Sequence, residues 1–284
     1  MPSEKRMKAP QNILFLIALS MLSPGVFATP DDTARIHVGL CGQSPPNELE
    51  VARRIHSFQQ SAGGAAATHE YFQAVGPIAR LSSFKSSGGD VIRLEGRIDA
   101  STPEALIRRI RETPEIKFIE VNSFGGDAVA AMRVAHILET SHLSLRIAGF
   151  CMSACANYLL PAAREVSLIN ATIGFHGSPW ACFQQSSLID GVMQWGLSGY
   201  LTLWRVARLD EEYMSKYPRL KEIIIRSQHP DRGANDGNPR DWLLVRPEDL
   251  SRYGIRLQAS TNSATFDRLA AAPLDGLLGP VFVP

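Results

Sequence analysis

The amino-acid sequence predicts an α/β protein with a parallel sheet and helical crossovers. From residue 90 onward, short apolar runs rich in Val, Ile and Leu alternate with longer segments of helical period. Strands that alternate with helices at this spacing favour parallel pairing. The 284-residue chain is 45% hydrophobic and 20% charged, which is typical of a folded protein with a sizeable core and not of a disordered chain.

The predicted elements follow one another in regular order between residues 90 and 176. The first strand is "DVIRLEGRI", and the helix "STPEALIRRIRET" follows, with Ser101 or Thr102 as its cap and Pro103 in its first turn. The strand "IKFIEVNS" leads through a glycine turn into the helix "GGDAVAAMRVAHILETS". The strand "LSLRIAGF", the helix "SACANYLLPAA" and the strand "EVSLINATIGFH" complete this part.

The pattern divides the chain into four parts, namely residues 1–28, 29–88, 89–260 and 261–284. Residues 29–88 are weakly patterned, and "SAGGAAATHE" and "SSFKSSGGD" are typical of loops. The regular pattern lies in residues 89–260, which we interpret as the main domain. Residues 261–284 are interpreted as a C-terminal tail.

Residues 1–28 have the pattern of a secretory signal peptide. Basic residues precede the apolar run "ILFLIALSML", and Val26 and Ala28 are small residues three before and one before a cleavage site. The alternative is an uncleaved membrane anchor, but the apolar run is short for a bilayer span and Pro24 and Gly25 interrupt it. We expect cleavage after Ala28 and a periplasmic or secreted protein.

Cleavage would change the formal charge of the chain. Lys5, Arg6, Lys8 and Glu4 lie in the first 28 residues, so their removal changes the net charge from +1 to −1. A chain with this balance has no basic footprint for nucleic acid, and nucleic-acid binding is therefore not expected.

Four cysteines, Cys41, Cys151, Cys155 and Cys182, would all reach the oxidising side of the membrane. An even number there favours disulfides, and the three full pairings that four cysteines allow stay open. A bond that involves Cys151 or Cys155, with Cys155 to Cys182 as one candidate, would rigidify the segment around Ser153. The alternative is that Cys151 and Cys155 are small buried packing residues.

A zinc site built from Cys151, Cys155, His176 and Cys182 is a weaker alternative. The spacing of these residues fits zinc-binding patterns only loosely. We therefore expect no metal and no cofactor.

One serine lies between an apolar strand and an alanine-rich helix in "AGFCMSACANYLL". At this junction the hydroxyl of Ser153 would be exposed at the carboxyl edge of a parallel sheet, and the helix dipole would favour an oxyanion beside it. A helix N-cap explains a serine at this place equally well. The neighbouring motifs decide between the two interpretations.

Two further motifs end the neighbouring strands. "NSFGGDAVAAM" places Gly125 and Gly126 between a strand and a helix, where a residue without Cβ lets a backbone N–H approach a substrate closely. The second copy of these letters, "SSGGD", leads into a strand and is interpreted as a plain turn. "IGFHG" places His176 at the end of the next strand, within reach of the serine hydroxyl as a general base.

The order of these motifs resembles the Clp-peptidase-like serine peptidases of the crotonase superfamily, in particular a secreted or periplasmic branch with "C-x-S-A-C" around the serine. The matching features, over about residues 90–258, are "NSFGGD" after a strand, "GFCMS" with Gly149 four before the serine, "IGFH", and "RDWLLVRPEDLSRYGI". The resemblance implies a ClpP/crotonase-like β-β-α superhelix. It departs from the cytosolic peptidases at Phe124, where they usually carry proline.

The resemblance also implies roles for individual residues. Ser153 would be the nucleophile, His176 the general base and Asp241 the acid that orients it, with the amides of Gly126 and Ala154 as oxyanion donors. The function implied is an exported serine hydrolase of the peptidase class that acts on peptide or protein substrates. Family members assemble into rings or trimers, which implies a homo-oligomer, whereas an ATP-driven unfoldase is not expected as partner outside the cytoplasm.

Several alternatives stay open at this point. A non-catalytic binding or scaffold protein could use the same fold. Further candidates for the acid are Asp190, Asp210, Asp231, Asp236 and Asp249. Asp249 is explained by helix capping, and the stretch "HPDRGANDGNP", which contains Asp231 and Asp236, is typical of a loop. Asp241 precedes the strand "WLLV" and also lies in a family motif.

Overall fold

The protein has an α/β fold with a mostly parallel mixed sheet, as the sequence predicts. The computed structural model describes residues 79–86, 89–185, 187–228, 242–260 and 281–282. The predicted signal peptide, nearly all of the N-terminal segment, Asp241 and most of the C-terminal tail lie outside the described residues.

The sheet contains eight strands within the described residues. They are β1 Arg80–Ser86, β2 Gly89–Glu95, β3 Phe118–Ser123, β4 Ser144–Met152, β5 Val166–Phe175, β6 Trp242–Val245, β7 Leu257–Ser260 and β8 Val281–Phe282. The strand order is β1-β2-β3-β4-β5-β6-β8, and β7 also pairs with β5. Strands β2 to β5 pair in parallel, which confirms the predicted pairing. β1 is antiparallel to β2 and β6 is antiparallel to β5.

β1 corrects the prediction of a loop at "SSFKSSGGD". Its seven residues pair antiparallel with β2, from Arg80 opposite Glu95 to Ser86 opposite Gly89. The strand "RLSSFKS" was missed because most of its side chains are polar, and it lies at the edge of the sheet where such side chains reach solvent.

Six α-helices lie within the described residues: α1 Thr102–Glu112, α2 Ala128–Thr140, α3 Leu160–Ala162, α4 Pro179–Gln185, α5 Leu188–Ser215 and α6 Pro218–Gln228. α5 is interrupted at Gly196, whose φ of 70° and ψ of 170° are not helical. A 3₁₀-helix, Pro247–Tyr253, ends at Gly254, whose φ is 86°. None of the helices in this part of the chain is long and apolar enough to cross a membrane.

The predicted helix at residues 153–163 is present but irregular. Cys155–Leu159 is π-helical, and α3 continues it for three residues. Pro161 has no N–H to donate to the carbonyl four residues earlier, so a regular α-helix would be broken here in any case. π-helical turns are frequent at functional sites.

Ser101 is the N-cap residue of α1, one of the two residues predicted, but its side chain makes no capping hydrogen bond. The Asp99 Oδ1 instead accepts hydrogen bonds from the N–H groups of Ser101 and Thr102, at 2.9 and 3.1 Å. Pro103 does lie in the first turn, as predicted.

The two faces of the sheet differ in polarity. On one face, Ile92, Ile119 and Leu145 are neighbours across three strands, are completely buried, and share a core with the small residues of α2. On the other face, Glu120 lies between Arg93 and Arg146, and its Oε1 accepts a hydrogen bond from the Arg93 Nε at 2.7 Å. The apolar face fixes the strand register, since a slip of one residue would place the charged row in the core.

Candidate active site

Ser153 lies at the turn between β4 and the π-helix, at the carboxyl edge of the parallel strands. Its φ is 53°, in the left-handed region that residues other than glycine rarely occupy. Its N–H donates to the Gly174 carbonyl on β5 at 2.9 Å, and its own carbonyl accepts from the Asn157 N–H at 2.8 Å. These two hydrogen bonds hold the serine in a backbone conformation that it would not adopt by itself.

His176 directly follows β5 and contacts the serine side chain. Its Nε2 lies 2.5 Å from the Ser153 Oγ, within hydrogen-bond distance. The two residues meet because β4 and β5 are parallel neighbours, with Met152 opposite Gly174 in the register. The structure therefore brings together the two residues that the sequence predicts as nucleophile and base.

The loop after His176 is tied to the π-helix that follows Ser153. The buried Asn157 Nδ2 donates to the Gly177 carbonyl at 2.7 Å. Gly177 has φ 105°, a conformation open mainly to glycine. One side chain thus connects the residue after the histidine to the helix after the serine.

Gly125 lies in close contact with the serine turn. A Cβ at Gly125 would lie 2.7 Å from both the Ala154 nitrogen and the Met152 oxygen. At Gly126, whose φ is 144°, a Cβ would lie 2.1 Å from the Ile98 oxygen. Both positions require glycine because of close backbone approach as well as positive φ.

The backbone N–H groups of Gly126 and Ala154 donate no hydrogen bond within the described residues. Ala154 is 3% exposed, and the Asp127 N–H next to Gly126 donates to the Ile98 carbonyl. The Gly125 N–H, by contrast, donates to the Ser123 Oγ at 3.0 Å. Two unpaired amides at adjoining turns are the kind of donor pair that stabilises an oxyanion.

Gly149 marks an irregularity in β4 just before the serine. The Asn122 Oδ1 accepts from the Phe150 N–H at 2.9 Å and lies 2.7 Å from where a Cβ of Gly149 would be. The register of β4 against β5 shifts between Ala148 and Phe150. Such a bulge changes the direction of the residues that follow it. The Phe124 and Phe150 rings, 5.1 Å apart between centroids, pack beside this bulge.

Cys151 and Cys155 form a disulfide with each other across the serine. Both residues are completely buried. This bond overturns the candidate pairing of Cys155 with Cys182, because the turn at Ser153 brings the Cα atoms of Cys151 and Cys155 to 5.2 Å, a distance typical of disulfides. Cys182 is also disulfide-bonded, and Cys41 lies outside the described residues.

The zinc alternative is likewise wrong, because the two bonded cysteines cannot supply thiolate ligands. Within the described part of the chain, no group of three or more His, Cys, Asp and Glu side chains could hold a metal ion.

The candidate acids have different positions. Asp241, Asp231 and Asp236 lie outside the described residues. Asp249 lies in the first turn of the 3₁₀-helix, where its Oδ1 pairs with the Arg252 Nη1 at 2.8 Å, so its place is explained by the helix. For Asp190 only the backbone is described, within α5.

Asp210 on α5 is a completely buried carboxylate next to the candidate site. Its Oδ1 accepts from the Tyr158 hydroxyl at 3.0 Å, and its Oδ2 accepts from the Trp180 N–H at 2.8 Å. Burial raises the pKa of this carboxyl, and the hydrogen bonds from Ser178, Trp180 and Tyr158 partly offset that rise.

The sequence contained one signal for this buried carboxylate. In α5 the positions 203, 207, 210 and 214 recur at helical period, and their residues Leu203, Ala207, Asp210 and Met214 are all buried. An aspartate on an apolar helix face is unusual, but in "ARLDEEYM" it precedes two glutamates and looks like part of a solvated face.

No protein-family model matches the chain, and no curated protein matches it. The fold and the site define an α/β protein with a serine-histidine pair at the carboxyl edge of parallel strands. A functional assignment therefore depends on the geometry of this site.

Proposed function

We propose that this chain is a serine hydrolase of the peptidase class. The observation that carries the proposal is the 2.5 Å contact between the Ser153 Oγ and the His176 Nε2 at a left-handed turn. A serine used only as a helix cap would need neither a positive φ nor a histidine partner, and the strain of such a conformation is often found at functional sites.

In the proposed mechanism the Ser153 Oγ attacks the carbonyl carbon of the substrate while His176 takes the hydroxyl proton. The unpaired amides of Gly126 and Ala154 bind the oxyanion of the tetrahedral intermediate. His176 then gives the proton to the leaving group, and the acyl-enzyme is hydrolysed by water through the same steps. The close contact of Gly125 with the Ala154 nitrogen supports the use of both amides as donors to one oxyanion, since it brings the two turns together.

We also propose that the fold belongs to the ClpP/crotonase-like β-β-α superhelices and that the chain is related to the Clp-peptidase-like family. Support comes from the β1-β2 hairpin that precedes α1 and from β2 to β5, which pair in parallel in chain order. Three of the four family motifs lie where β3, β4 and β5 end. By the same resemblance the substrate would be a peptide or protein, and the protein a homo-oligomer that works without an ATP-driven unfoldase.

An exported location is the final part of the proposal. The disulfide between Cys151 and Cys155 supports it, because disulfides persist in oxidising compartments such as the periplasm or the extracellular space. The signal pattern in residues 1–28 agrees with this location.

Labelling with a fluorophosphonate probe tests the proposed function. The purified parent protein should be labelled on Ser153, Ser153→Ala should not be labelled, and His176→Ala should react several orders of magnitude more slowly. Asp249→Asn is the control and should react at the parent rate within about threefold. Labelling that persists in Ser153→Ala would place the nucleophile elsewhere, and a folded parent that is never labelled would favour a non-catalytic binding or scaffold protein.

Asp241 is proposed as the acid that orients His176, and a separate variant tests it. A carboxylate in this role holds the imidazole tautomer and stabilises the imidazolium, so Asp241→Asn should lower turnover by up to about 10⁴-fold. Asp231→Asn should stay within about threefold of the parent. Hydrolysis of a reporter ester by Asp241→Asn at the parent rate would leave a serine-histidine pair or another acid.

A further inference from the structure

The buried carboxylate of Asp210 has contacts on two sides, and the first side is the loop that carries His176. Its Oδ2 accepts from the Trp180 N–H at 2.8 Å, four residues after the histidine. The buried Ser178, two residues after the histidine, lies in the same loop, and its Oγ accepts from the Ala181 N–H at 3.3 Å. Asp210 therefore fixes the start of α4 and, with it, the backbone that leads away from His176.

The second side is the π-helix that follows Ser153. The Asp210 Oδ1 accepts from the Tyr158 hydroxyl at 3.0 Å, and Tyr158 is completely buried five residues after the serine. One turn further along α5, the Tyr213 hydroxyl donates to the Tyr158 carbonyl at 2.6 Å. α5 thus holds Tyr158 by its side chain and by its backbone.

From these contacts we propose that Asp210 is a positioning residue that holds His176 against Ser153 by tying the histidine loop to the nucleophile helix. The inference rests on the proposed function. Asp210 does not touch the reacting atoms in this proposal. It acts through Trp180 on one side and through Tyr158 on the other.

The chemistry of the side chain supports this role. A carboxylate accepts hydrogen bonds at both oxygens, so it can take the Trp180 N–H and the Tyr158 hydroxyl together. Asparagine has the same shape but offers only one acceptor oxygen, and its NH₂ group would face a donor at one of the two sites. Asp210→Asn therefore breaks one tie with almost no change in volume.

Steady-state hydrolysis of a reporter ester by the full chain tests the proposal. A shift of about 1 Å between nucleophile and base can cost about 100-fold in rate, so Asp210→Asn should lower kcat by roughly 10- to 100-fold while KM stays within about twofold. Asp249→Asn, which removes a carboxylate that pairs with Arg252, is the control and should keep the parent kcat. A merely structural role for Asp210 would lower Tm and leave the kcat of the folded molecules unchanged, and that result overturns the proposal.

Tyr158→Phe is the second variant, in case Asp210→Asn does not fold. It removes one hydroxyl and keeps the ring, so kcat should fall by roughly 3- to 10-fold and the loss should not add to that of Asp210→Asn in the double variant. Parent kcat in folded Tyr158→Phe, or a loss that is confined to KM, overturns the proposal.

The parent protein separates this inference from the proposed function. If the parent is labelled on Ser153 but Asp210→Asn reacts at the parent rate, only the role of Asp210 is wrong. If the folded parent is not labelled by the fluorophosphonate and does not hydrolyse the ester, the proposed function is wrong and the role of Asp210 is wrong with it.

Discussion

Two strand-to-helix turns meet at the carboxyl edge of the sheet, and they are built in different ways. After β3, Gly125 and Gly126 have φ values of 85° and 144°, and the Asp127 side chain caps α2 by accepting from the Ala130 N–H at 2.6 Å. After β4, Ser153 has a φ of 53°, a disulfide crosses the turn, and a π-helix follows.

The difference shows where each turn obtains its geometry. The glycine turn follows from local sequence, because glycine accepts positive φ and aspartate is a good N-cap. The serine turn does not, because left-handed backbone costs a residue with a side chain about 1–2 kcal/mol. Its shape is imposed by the disulfide, by the Gly174 carbonyl and by the backbone of Gly125.

The largest expected effect comes from Gly125→Ala, which forces the two turns apart. The new Cβ would lie 2.7 Å from the Ala154 nitrogen. Gly254→Ala is the matched control, since its φ of 86° is nearly equal to the 85° of Gly125 but no atom of the described residues lies within 4 Å of the new Cβ. Both variants should lose about 1–2 kcal/mol of unfolding free energy from strain.

Gly125→Ala should lose a further 1–3 kcal/mol, roughly, from overpacking, and its reaction with the fluorophosphonate should fall steeply. Denaturant unfolding of the two variants measures the loss of unfolding free energy, and labelling kinetics measure the fall in reaction rate. Equal losses in the two alanine variants would show that the turns do not depend on each other.

The next largest effect should follow loss of the disulfide across the serine. Cys151→Ala/Cys155→Ala removes a short loop closure, which in the chain-entropy model lowers the unfolding free energy by about 2 kcal/mol. Because Ser153 is no longer held at positive φ, labelling should slow by about tenfold as well.

Reduction in denaturant, which exposes the two buried sulfurs, followed by refolding with the reductant present, provides the control. It should slow labelling of the parent and leave the double variant unchanged. A reductant effect of equal size in both proteins would assign it to the disulfide of Cys182 and would contradict the role of the Cys151–Cys155 bond.

A smaller effect is expected at the cap of the glycine turn. Asp127→Ala removes the acceptor of the Ala130 N–H and should lower the unfolding free energy by about 1 kcal/mol. Asp127→Asn keeps a capping oxygen and should lose only a few tenths of that amount. We expect both variants to be labelled at the parent rate within about twofold, because the serine turn keeps its own restraints. A large loss of labelling in Asp127→Ala alone would mean that the cap also shapes the serine turn.

The smallest expected effect is a dependence on pH. Burial raises the pKa of Asp210 above its ordinary value of 3.8, although hydrogen bonds from Ser178, Trp180 and Tyr158 and the charge of Lys221 oppose the rise. As pH increases from about 4, the unfolded chain releases this proton before the folded chain does, so the parent loses stability across that window. Asp210→Asn lacks this loss. Denaturant unfolding of both proteins between pH 4 and pH 8 should show that the unfolding free energy of the parent falls relative to that of the variant. A constant difference between the two unfolding free energies would contradict a raised pKa of Asp210 in the folded protein.

Much of the fold could be predicted because its strands and helices differ strongly in period. Strands β2 to β5 each contain several Val, Ile, Leu or Phe residues, and the ends of β4 and β5 place Ser153 and His176 where the motifs predict. β1 could not be predicted, since "RLSSFKS" lies at the sheet edge and has no apolar pattern.

The features that sequence reasoning missed depend on contacts between distant segments. Cys155–Leu159 is π-helical and lies next to a proline and a disulfide. The spacing of apolar residues in the sequence does not distinguish such a π-helical turn from an α-helix. Asp210 contacts Tyr158 and Trp180 only after α5 has packed beside the site. Pairing of cysteines also depends on the left-handed turn at Ser153, which no local propensity predicts.

Complete burial of Cys151 and Cys155 has a consequence for biosynthesis. In the finished protein an oxidoreductase cannot reach either sulfur, because thiol–disulfide exchange requires direct attack on it. The bond must therefore form on a nascent or partly open chain. A preparation that folds first in a reducing cytoplasm would contain a sealed dithiol, and later exposure to air would oxidise it only as fast as the molecule opens.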